Sequence, residues 1–426
     1  MEILFLSHRL PFPPNRGDKI RSHAWFTELA RKHRIHLGAF YDDENDRAHL
    51  ETVRSLAGGQ CFFQPISQFG KLRGGISALL RGKPISVGYF GSDAFARWVA
   101  TMLRTKPIDA VLLFSSSMAP YLLGSDSFPR SRVVLDMVDV DSDKWRQYAD
   151  RETALKSWIY RREARTLSRL EREAASSFGA TILVSGNEMS HLLDAGEIPP
   201  DRIHVVGNGV DLKKFASGPF ASPFATGEIP IVMTGRMDYR ANVDGARWFI
   251  ENVLPRVRDR IHRAKFYVVG ADPSGPLARL HDSGVVVTGS VDDVRPYIQH
   301  ASVIVAPLRI ARGLQNKVLE AFAMEKPVVA TSHAARALAV ERGRELWIED
   351  EPWGFARAVR EAIQGCERYR IARNARLYVE REHQWSDKCD LVEAILGRAG
   401  SYCASGEAGP LADLPTVQAL AAGAAE

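Results

Sequence analysis

The chain has 426 residues, of which 45% are apolar, and it carries a formal net charge of +5. This length allows two or three domains with buried cores, and the basic residues form no tail-like blocks, so the composition argues against a nucleic-acid-binding protein. A mildly basic chain fits an anionic substrate or an anionic membrane surface equally well.

The cysteines and the N-terminal segment indicate the compartment. The four cysteines are scattered without metal-ligand spacing, which indicates a reducing environment and no metal site. The segment Met1–His8 is too short and too acidic for a signal peptide. No apolar run reaches the roughly 18–20 residues of a membrane span. We therefore predict a cytoplasmic protein and leave open a peripheral attachment to the cytoplasmic face of the inner membrane.

Strands and helices alternate through the first half of the sequence. An apolar strand at Ile3–Ser7 leads into a Pro-rich loop and a helix through Ile20–Arg31. Further strands are predicted, in chain order, at Ile35–Phe40, Ala110–Phe114, Val133–Met137 and Ala180–Ser185. This alternation is typical of parallel sheets wrapped by helices.

The same pattern begins again in the second half. A strand at Pro230–Thr234 is followed by a helix at about Val243–Arg256. The later strands are predicted at Lys265–Val269, Val285–Thr288 and Val303–Ala306. Between the halves, the turn Asn208–Asp211 and the Gly/Pro/Ser-rich stretch Ser217–Gly227 indicate an interdomain linker. Two doubly wound domains that face each other leave a ligand cleft at the carboxyl ends of both sheets.

The segment from residue 302 to residue 330 is the most informative part of the chain. It predicts a strand, a loop, a helix that begins near Gly313, and a second strand after Pro327. Free backbone N–H groups at a helix N-terminus attract anions. Arg312 would oppose the helix macrodipole there unless an anion such as phosphate were bound. The sequence therefore predicts a phosphate site at this helix start.

Lys317 and Glu320 lie three residues apart and so share one face of that helix. Lys317 could neutralise a phosphate, and Glu320 could accept hydrogen bonds from two ribose hydroxyls. The plainer interpretation is an ordinary α/β helix with a solvated Lys–Glu pair, and this segment alone leaves both open.

Two basic segments suggest a membrane surface. No carboxylate falls between Glu51 and Asp93, and Leu72, Ile76, Leu79 and Leu80 lie among the cations found there, which are Arg54, Lys71, Arg73, Arg81 and Lys83. A second basic helix is predicted from about Arg151 to Ala175. Basic, apolar surface segments suit anionic headgroups. For the second helix, packing against a domain with a solvated basic face is an equally open interpretation.

Five segments in order resemble retaining glycosyltransferases of family 4, which have the GT-B fold. They are Pro11–Asp18, Asn208–Asp211, Thr234–Asp238, Val287–Ser290 and Arg312–Val329. Each is weak alone, and their order and spacing carry the resemblance, which covers about residues 1–396. Asp136–Trp145 and Pro307–Glu320 also resemble sugar transferases associated with PEP-CTERM/exosortase exopolysaccharide loci.

The resemblance implies an α/β protein with two Rossmann-like domains facing across a cleft. It implies an acceptor-binding domain at 1–206, a donor-binding domain at 207–385 and a helix at 386–398 that returns to the first domain, and it leaves the Ala/Gly-rich segment 399–426 as a disordered tail. Such enzymes transfer a sugar from a nucleotide-diphospho-sugar, with retention of configuration, to a glycan or polyprenyl-linked acceptor. They usually need no divalent metal, so we expect neither a metal nor a further cofactor. Cationic side chains and helix N-termini must then stabilise the departing diphosphate.

The resemblance also implies site residues. Arg236 and Lys317 would contact the diphosphate and act in catalysis, together with Asp139 of the first domain. The other donor contacts that it implies are Gly17, Gly235, Ser290, Arg312, Gly313, Leu314 and Glu320.

Two positions in the second domain depart from the family pattern. The usual E-x7-E pair keeps Glu320 but has Arg312 at the first glutamate, which usually contacts the donor sugar. Arg312 would instead pair with the diphosphate or with an acidic sugar. The lysine that usually follows the Gly-Arg of the first loop is also missing. Arg240 lies near that position, and Lys317 could take over its role.

The first domain departs as well. In the loop Pro11–Lys19, Gly17 keeps one of two usual glycines and Asp18 replaces the other. Ser115–Ser117 stands where many relatives place a histidine after the fourth strand. An acidic cluster could orient an acceptor hydroxyl, with helix capping and turn formation as the alternative. It consists of Asp136, Asp139 and Asp141.

Other functions fit parts of the sequence. A sugar-nucleotide epimerase or hydrolase on the same scaffold would need a dense set of acid/base residues in the cleft. A non-catalytic nucleotide-sugar-binding subunit would explain Arg312 and the absent histidine, and it predicts donor binding without turnover. A nucleic-acid binder would need a basic-aromatic stripe, which is not evident.

Overall fold

The computed structural model describes residues 1–14, 17–125, 127–150, 153–194, 198–237, 239–270, 284–310 and 313–401. Arg312 and the segment 402–426, which falls in the predicted tail, lie outside the described residues. The chain forms two compact units. Unit 1 comprises Met1–Gly207 and the chain from Ser386 onward, and unit 2 comprises Asn208–Trp385.

Unit 1 is built on a seven-stranded parallel sheet with the order β3-β2-β1-β4-β5-β6-β7. The strands are β1 Glu2–Ser7, β2 Arg34–Tyr41, β3 Gly58–Pro65, β4 Ala110–Phe114, β5 Val133–Val138, β6 Ala180–Leu183 and β7 Ile203–Val205. β4 is apolar and buried at every position, as expected for a strand covered on both faces. The strand order reverses between β1 and β4, and the carboxyl ends at such a point favour ligand binding.

The helices of unit 1 cover both sheet faces. They are α1 Gly17–Lys32, α2 Glu44–Arg47, α3 Leu50–Ala57, α4 Gln68–Leu80, α5 Ile85–Gly88, α6 Asp93–Thr105, α7 Pro120–Leu123, α8 Asp141–Ala149, α9 Ala154–Ser177 and α10 Gly186–Leu193.

Unit 2 repeats the architecture with a six-stranded parallel sheet of order β10-β9-β8-β11-β12-β13. The strands are β8 Ile229–Thr234, β9 Ala264–Val269, β10 Val285–Gly289, β11 Val303–Ala306, β12 Val328–Ala330 and β13 Trp347–Ile348. The helices are α11 Arg240–Trp248, α12 Leu254–Arg258, α13 Arg295–His300, α14 Asn316–Ala323, α15 Ser332–Ala335, α16 Pro352–Gln364 and α17 Arg368–Glu382. The order reverses between β8 and β11.

The last helix, α18, spans Trp385–Ser401 and packs within unit 1 from Ser386 onward. The ammonium of Lys32 contacts Asp390 and Glu393, each at 2.8 Å, and the buried thiol of Cys389 faces the carbonyl of Ala24. None of the described helices is long and apolar enough to span a membrane.

A buried ion pair lies in the core of unit 1. Arg21 donates from Nε to Asp136 at 2.7 Å, from Nη2 to the same carboxylate at 3.1 Å, and from Nη1 to the carbonyl of Val206 at 2.8 Å. Trp25 Nε1 donates to Asp136 at 2.6 Å. Asp136 is fully buried. It is therefore a core residue, and the expectation that it could orient an acceptor hydroxyl is wrong.

The Gly/Pro/Ser-rich stretch Ser217–Gly227 lies wholly within unit 2 rather than linking two domains. The Phe224 ring packs edge-on against Tyr267 at a centroid distance of 4.6 Å. Gly218 exchanges two hydrogen bonds of 2.8 Å with the side chain of Gln299. Its composition resembles a linker, but its aromatic residue and these hydrogen bonds hold it against β9 and α13.

Candidate functional site

The carboxyl ends of β8 and β11 bring the predicted donor residues of unit 2 together. Gly235 and Arg236 follow β8 directly, and Lys317 and Glu320 lie on α14, which follows β11. β8 and β11 are hydrogen-bonded neighbours at the point where the strand order reverses. This is the edge at which open α/β sheets bind ligands.

Gly235 is the residue that lets these elements meet. It adopts a φ of +144°, which L side chains rarely adopt. A Cβ at this position would lie 2.9 Å from the Nζ of Lys317 and 2.8 Å from the Nδ2 of Asn242. Any side chain here would displace both polar groups.

Lys317 lies in the first turn of α14 and is half-buried. Its Nζ donates to the Oδ1 of Asn242 at 2.7 Å. Among the described residues, no carboxylate comes within the 4.0 Å of an ion pair with it, Glu320 included. The solvated Lys–Glu pair that the spacing left open is therefore not formed. An ammonium has three N–H donors, so donors remain for an incoming anion.

Burial shifts the pKa values of both residues in opposite directions. It lowers the pKa of Lys317 to about 8, and the charge of Glu320 opposes this shift. It raises the pKa of Glu320 to about 7, against the opposing charges of Lys214 and Lys317. Both groups thus titrate near neutral pH, which is common at functional sites.

Asn242 is a site residue that the sequence analysis missed. It is 6% exposed and lies in the first turn of α11. Besides accepting from Lys317, it donates from Nδ2 to the carbonyl oxygen of Arg236 at 2.7 Å. The available signal was its position shortly after the Gly-Arg loop, where the family usually has a lysine and this chain has Arg240 nearby.

The other predicted donor residues are more dispersed. Arg236 is half-buried directly after β8. Gly313 has a φ of +60°, and Leu314 is buried. Because left-handed backbone cannot open an α-helix, α14 begins at Asn316 rather than near Gly313. Ser290 is exposed after β10, at the end of the sheet two strands from β8.

In unit 1, an imidazole lies at the carboxyl ends of β1 and β4. The His8 ring follows β1 and stacks on Phe114, the last residue of β4, at 5.8 Å and 13°. Ser115 follows with a φ of +81°, a strained conformation for a non-glycine residue. The family resemblance predicts a histidine after β4, whereas the histidine at these strand ends follows β1.

Gly17, the predicted glycine of the first loop, is the exposed first residue of α1. Its neighbour Asp18, which replaces the second glycine, contacts Arg9 Nε at 2.9 Å. Arg9 also donates to Asp42 at 3.0 Å. The loop thus carries a charge cluster in place of the flexible glycine pair.

The loop after β5 holds the predicted Asp139, which is half-buried. Beside it lies Glu188 on α10, which is 3% exposed and accepts from the backbone N–H of Val140 at 2.7 Å. Burial, reinforced by the charge of Asp139, raises the pKa of Glu188 to about 7. Glu171 accepts from Ser142 N at 3.1 Å, so buried carboxyl groups surround the start of α8.

Within the part of the chain that the structure describes, no three His, Cys, Asp or Glu side chains are grouped so as to hold a metal ion.

Residues 228–365 match the sequence model of the family Glycosyl transferases group 1. The matched stretch lies within unit 2 and contains Gly235, Arg236, Asn242, Lys317 and Glu320. No curated protein sequence matches the chain.

Solved structures match along nearly the whole chain. Anabaena HepE in complex with UDP-glucose is 16% identical, with 93% of this chain and 99% of that chain covered and a TM-score of 0.67. Sucrose-phosphate synthase from Thermosynechococcus elongatus is 16% identical, with the same coverage and a TM-score of 0.68. WaaG, a glycosyltransferase involved in lipopolysaccharide biosynthesis, is 17% identical, with 93% and 100% covered and a TM-score of 0.65.

The fold is GT-B. The two Rossmann-like sheets predicted from the sequence are confirmed, and identities this low show the fold alone. Within this fold, unit 2 holds a half-buried lysine, a glycine that leaves room for it and an asparagine that accepts its hydrogen bond. These residues converge at the carboxyl ends of β8 and β11, which is where open α/β sheets bind their ligands.

Proposed function

We propose that the protein is a retaining glycosyltransferase of family 4, which transfers a hexosyl group from a nucleotide-diphospho-sugar to a glycan or polyprenyl-linked acceptor. The observation that carries the proposal is the Lys317 ammonium, which Asn242 holds beside Gly235 without a carboxylate partner among the described residues. A half-buried cation in this state favours an anionic ligand. Its place in the stretch that matches the group 1 family makes a donor diphosphate the natural candidate.

In the proposed complex, the diphosphate contacts Lys317, Arg236 and the free backbone N–H groups at the start of α14. Glu320 accepts from the ribose hydroxyls when it is ionised. Anabaena HepE, which shares the fold, was solved with UDP and with UDP-glucose, and this supports a nucleotide-sugar as the ligand.

The proposed reaction is a transfer on one face of the sugar. The bond between the anomeric carbon and the diphosphate oxygen breaks, and its electron pair stays with the diphosphate. The acceptor oxygen bonds to the anomeric carbon on the same face, and its proton passes to the leaving phosphate. Lys317 and Arg236 stabilise the growing negative charge. Because these cations and a helix N-terminus supply that stabilisation, we expect no metal requirement.

The acceptor would bind to unit 1. Asp139 would orient an acceptor hydroxyl there, and Glu188 beside it, whose pKa burial raises to about 7, would be able to exchange a proton near neutral pH. The resemblance to enzymes of exopolysaccharide loci supports a role in exopolysaccharide or cell-envelope polysaccharide synthesis, on the cytoplasmic face of the inner membrane.

A turnover assay tests this proposal. The purified protein would be given UDP-, GDP- and ADP-hexoses with free or polyprenyl-linked oligosaccharides, in EDTA and in Mg²⁺. We expect acceptor-dependent release of one nucleoside diphosphate that EDTA does not abolish, and a product with the anomeric configuration of the donor. An inverted product would refute the retaining mechanism. Tight donor binding without release, whatever the acceptor, would favour a non-catalytic binding subunit.

A further inference from the structure

Helix α4 exposes its large apolar side chains and buries its small ones. Gly75 and Ala78 are buried, whereas the large residues face solvent with exposed fractions of 75% for Phe69, 60% for Leu72, 50% for Ile76, 39% for Leu79 and 81% for Leu80. A surface helix of a soluble domain normally has the opposite arrangement. The apolar face of α4 therefore has no partner among the described residues of the chain.

Close packing fixes this orientation. A Cβ at Gly74 would lie 2.1 Å from the carbonyl oxygen of Gly88, and a Cβ at Gly75 would lie 2.9 Å from the ring of Tyr89. α4 can approach the α5 segment only through its glycine face. It cannot rotate to bury its leucines without separating the two helices.

The first turns of α9 extend the same surface. Arg162 Nη2 donates to the carbonyl oxygens of Leu79 and Lys83, each at 3.1 Å. Trp158 and Leu155 lie one and two turns earlier on the same helix face. They are 60% and 73% exposed. The buried Glu163 ties α9 to α5, because its carboxylate accepts from Ile85 N at 2.7 Å and Ser86 N at 2.8 Å.

We define the docking surface as the exposed apolar residues of α4 together with Leu155 and Trp158. Arg73, Arg81 and Lys83 border it, and none of the three forms an ion pair with a carboxylate of the described residues. No acidic residue occurs between Glu51 and Asp93. The surface is thus apolar in its centre, and the three unpaired cations lie along its α4 side, whereas Lys71 of the same helix is paired with Asp42 at 2.7 Å.

We propose that this docking surface binds an anionic phospholipid bilayer. The apolar side chains of α4, with Trp158, enter the boundary between headgroups and acyl chains, while Arg73, Arg81 and Lys83 contact lipid phosphates. A second copy of the chain is a poorer occupant, because the same cations would face each other. The inference uses residues of unit 1 only and does not depend on the donor site.

Vesicle flotation of the full chain tests the proposal. Vesicles of phosphatidylcholine alone would be compared with vesicles that contain about one third phosphatidylglycerol. On the anionic vesicles, each surface cation should raise the partition coefficient of the protein by roughly fivefold. We expect recovery with the anionic vesicles that falls as salt is added. Equal recovery with both vesicle types would overturn the proposal.

Two pairs of variants separate the apolar and ionic contributions. Leu72→Ser with Leu80→Ser should lower the partition coefficient on the order of tenfold or more. Trp353→Ser with Leu377→Ser removes similarly exposed apolar groups from unit 2 and should leave partitioning unchanged.

For the charges, replacing Arg73, Arg81 and Lys83 by glutamine should reduce binding to anionic vesicles by roughly a hundredfold. The matched control replaces the exposed arginines Arg247, Arg260 and Arg373 of unit 2 by glutamine. Equal losses in test and control variants would overturn the assigned surface. A dimer that is detected by light scattering and is abolished by Leu72→Ser with Leu80→Ser would also overturn the proposal, because a second copy of the chain would then cover α4. Nucleoside diphosphate binding, measured in parallel, reports separately on the donor site.

Discussion

The Nζ of Lys317 lies 2.7 Å from the Oδ1 of Asn242, and the Nδ2 of Asn242 lies 2.7 Å from the carbonyl oxygen of Arg236. These two hydrogen bonds join the loop after β8 to the first turn of α14. The ammonium is therefore held in place before any ligand arrives. Such preorganisation reduces the cost of ordering a charged side chain on binding.

Asn242→Ala tests this arrangement. The change removes both hydrogen bonds and frees Lys317, and hydrogen bonds to charged groups contribute about 1.5 kcal/mol or more, so we expect roughly tenfold weaker binding of a nucleoside diphosphate by calorimetry. Asn252→Ala is the control, because its amide also donates to a backbone carbonyl within unit 2, that of Trp248 at 3.1 Å. Equal affinities in the two variants would show that Asn242 does not orient the site.

Gly235→Ala should disrupt the site through crowding. The new methyl would meet Lys317 and Asn242 at under 3 Å. Gly343→Ala is the matched control, since Gly343 also has a positive φ, +77°, but no atom within 4 Å of the added Cβ. Both changes should cost about 1–3 kcal/mol of stability from backbone strain. Only Gly235→Ala should weaken nucleotide binding, and a similar loss in Gly343→Ala would refute the steric argument.

Nucleotide-sugar affinity should depend on pH in a defined way. A diphosphate prefers protonated Lys317, whose pKa is lowered to about 8, so affinity should fall by about tenfold per pH unit above that value. Ribose hydroxyls prefer ionised Glu320, whose pKa is raised to about 7, so affinity should also fall below that value.

Calorimetric titration at pH values below, between and above these two pKa values measures both the acidic and the alkaline loss of affinity. A nucleotide-sugar is the better ligand, because its diphosphate has no terminal ionisation near neutral pH. Lys317→Arg should remove the alkaline loss of affinity, since a guanidinium stays charged. An affinity that does not change with pH would contradict the assignment of both groups.

Stability should fall as pH rises because of Glu171. Burial raises the pKa of this carboxyl to about 8 from 4.5, so between these values the folded state binds more protons than the unfolded state. Ionising it at high pH should cost about 5 kcal/mol of unfolding free energy, at about 1.4 kcal/mol for each pKa unit. The free energy of unfolding, measured with urea, should therefore decrease less between low and high pH in Glu171→Gln than in the wild type. Glu173→Gln, at an exposed position of the same helix, should behave like the wild type.

Most of the fold follows from the periodicity of the sequence. The buried strands such as Ala110–Phe114 are continuous apolar runs and were predicted within a residue or two. β3 was missed because Gly58 and Gly59 begin it and Pro65 ends it, and β7 and β13 are only three and two residues long. Such strands are specified by their neighbours in the sheet rather than by their own composition.

The candidate site was predictable only in part. Lys317 and Glu320 stand out by their spacing on one helix. Asn242 carries no such signal, because its role depends on the approach of two helices across Gly235. His8 and Glu188 were missed for the same reason, since each lies near its partner only through the sheet order.

Titration of the metal-free protein with UDP, GDP and ADP, repeated with Lys317→Ala, tests the central claim most directly. We predict that one nucleoside diphosphate binds and that Lys317→Ala weakens it by about 2–4 kcal/mol, the range for losing one partner of a desolvated charge pair. Glu320→Ala should weaken it as well. Lys326→Ala, which removes a half-buried lysine elsewhere in unit 2, should bind like the wild type. Unchanged affinity in Lys317→Ala, or no binding of any nucleoside diphosphate, would contradict the placement of the donor site.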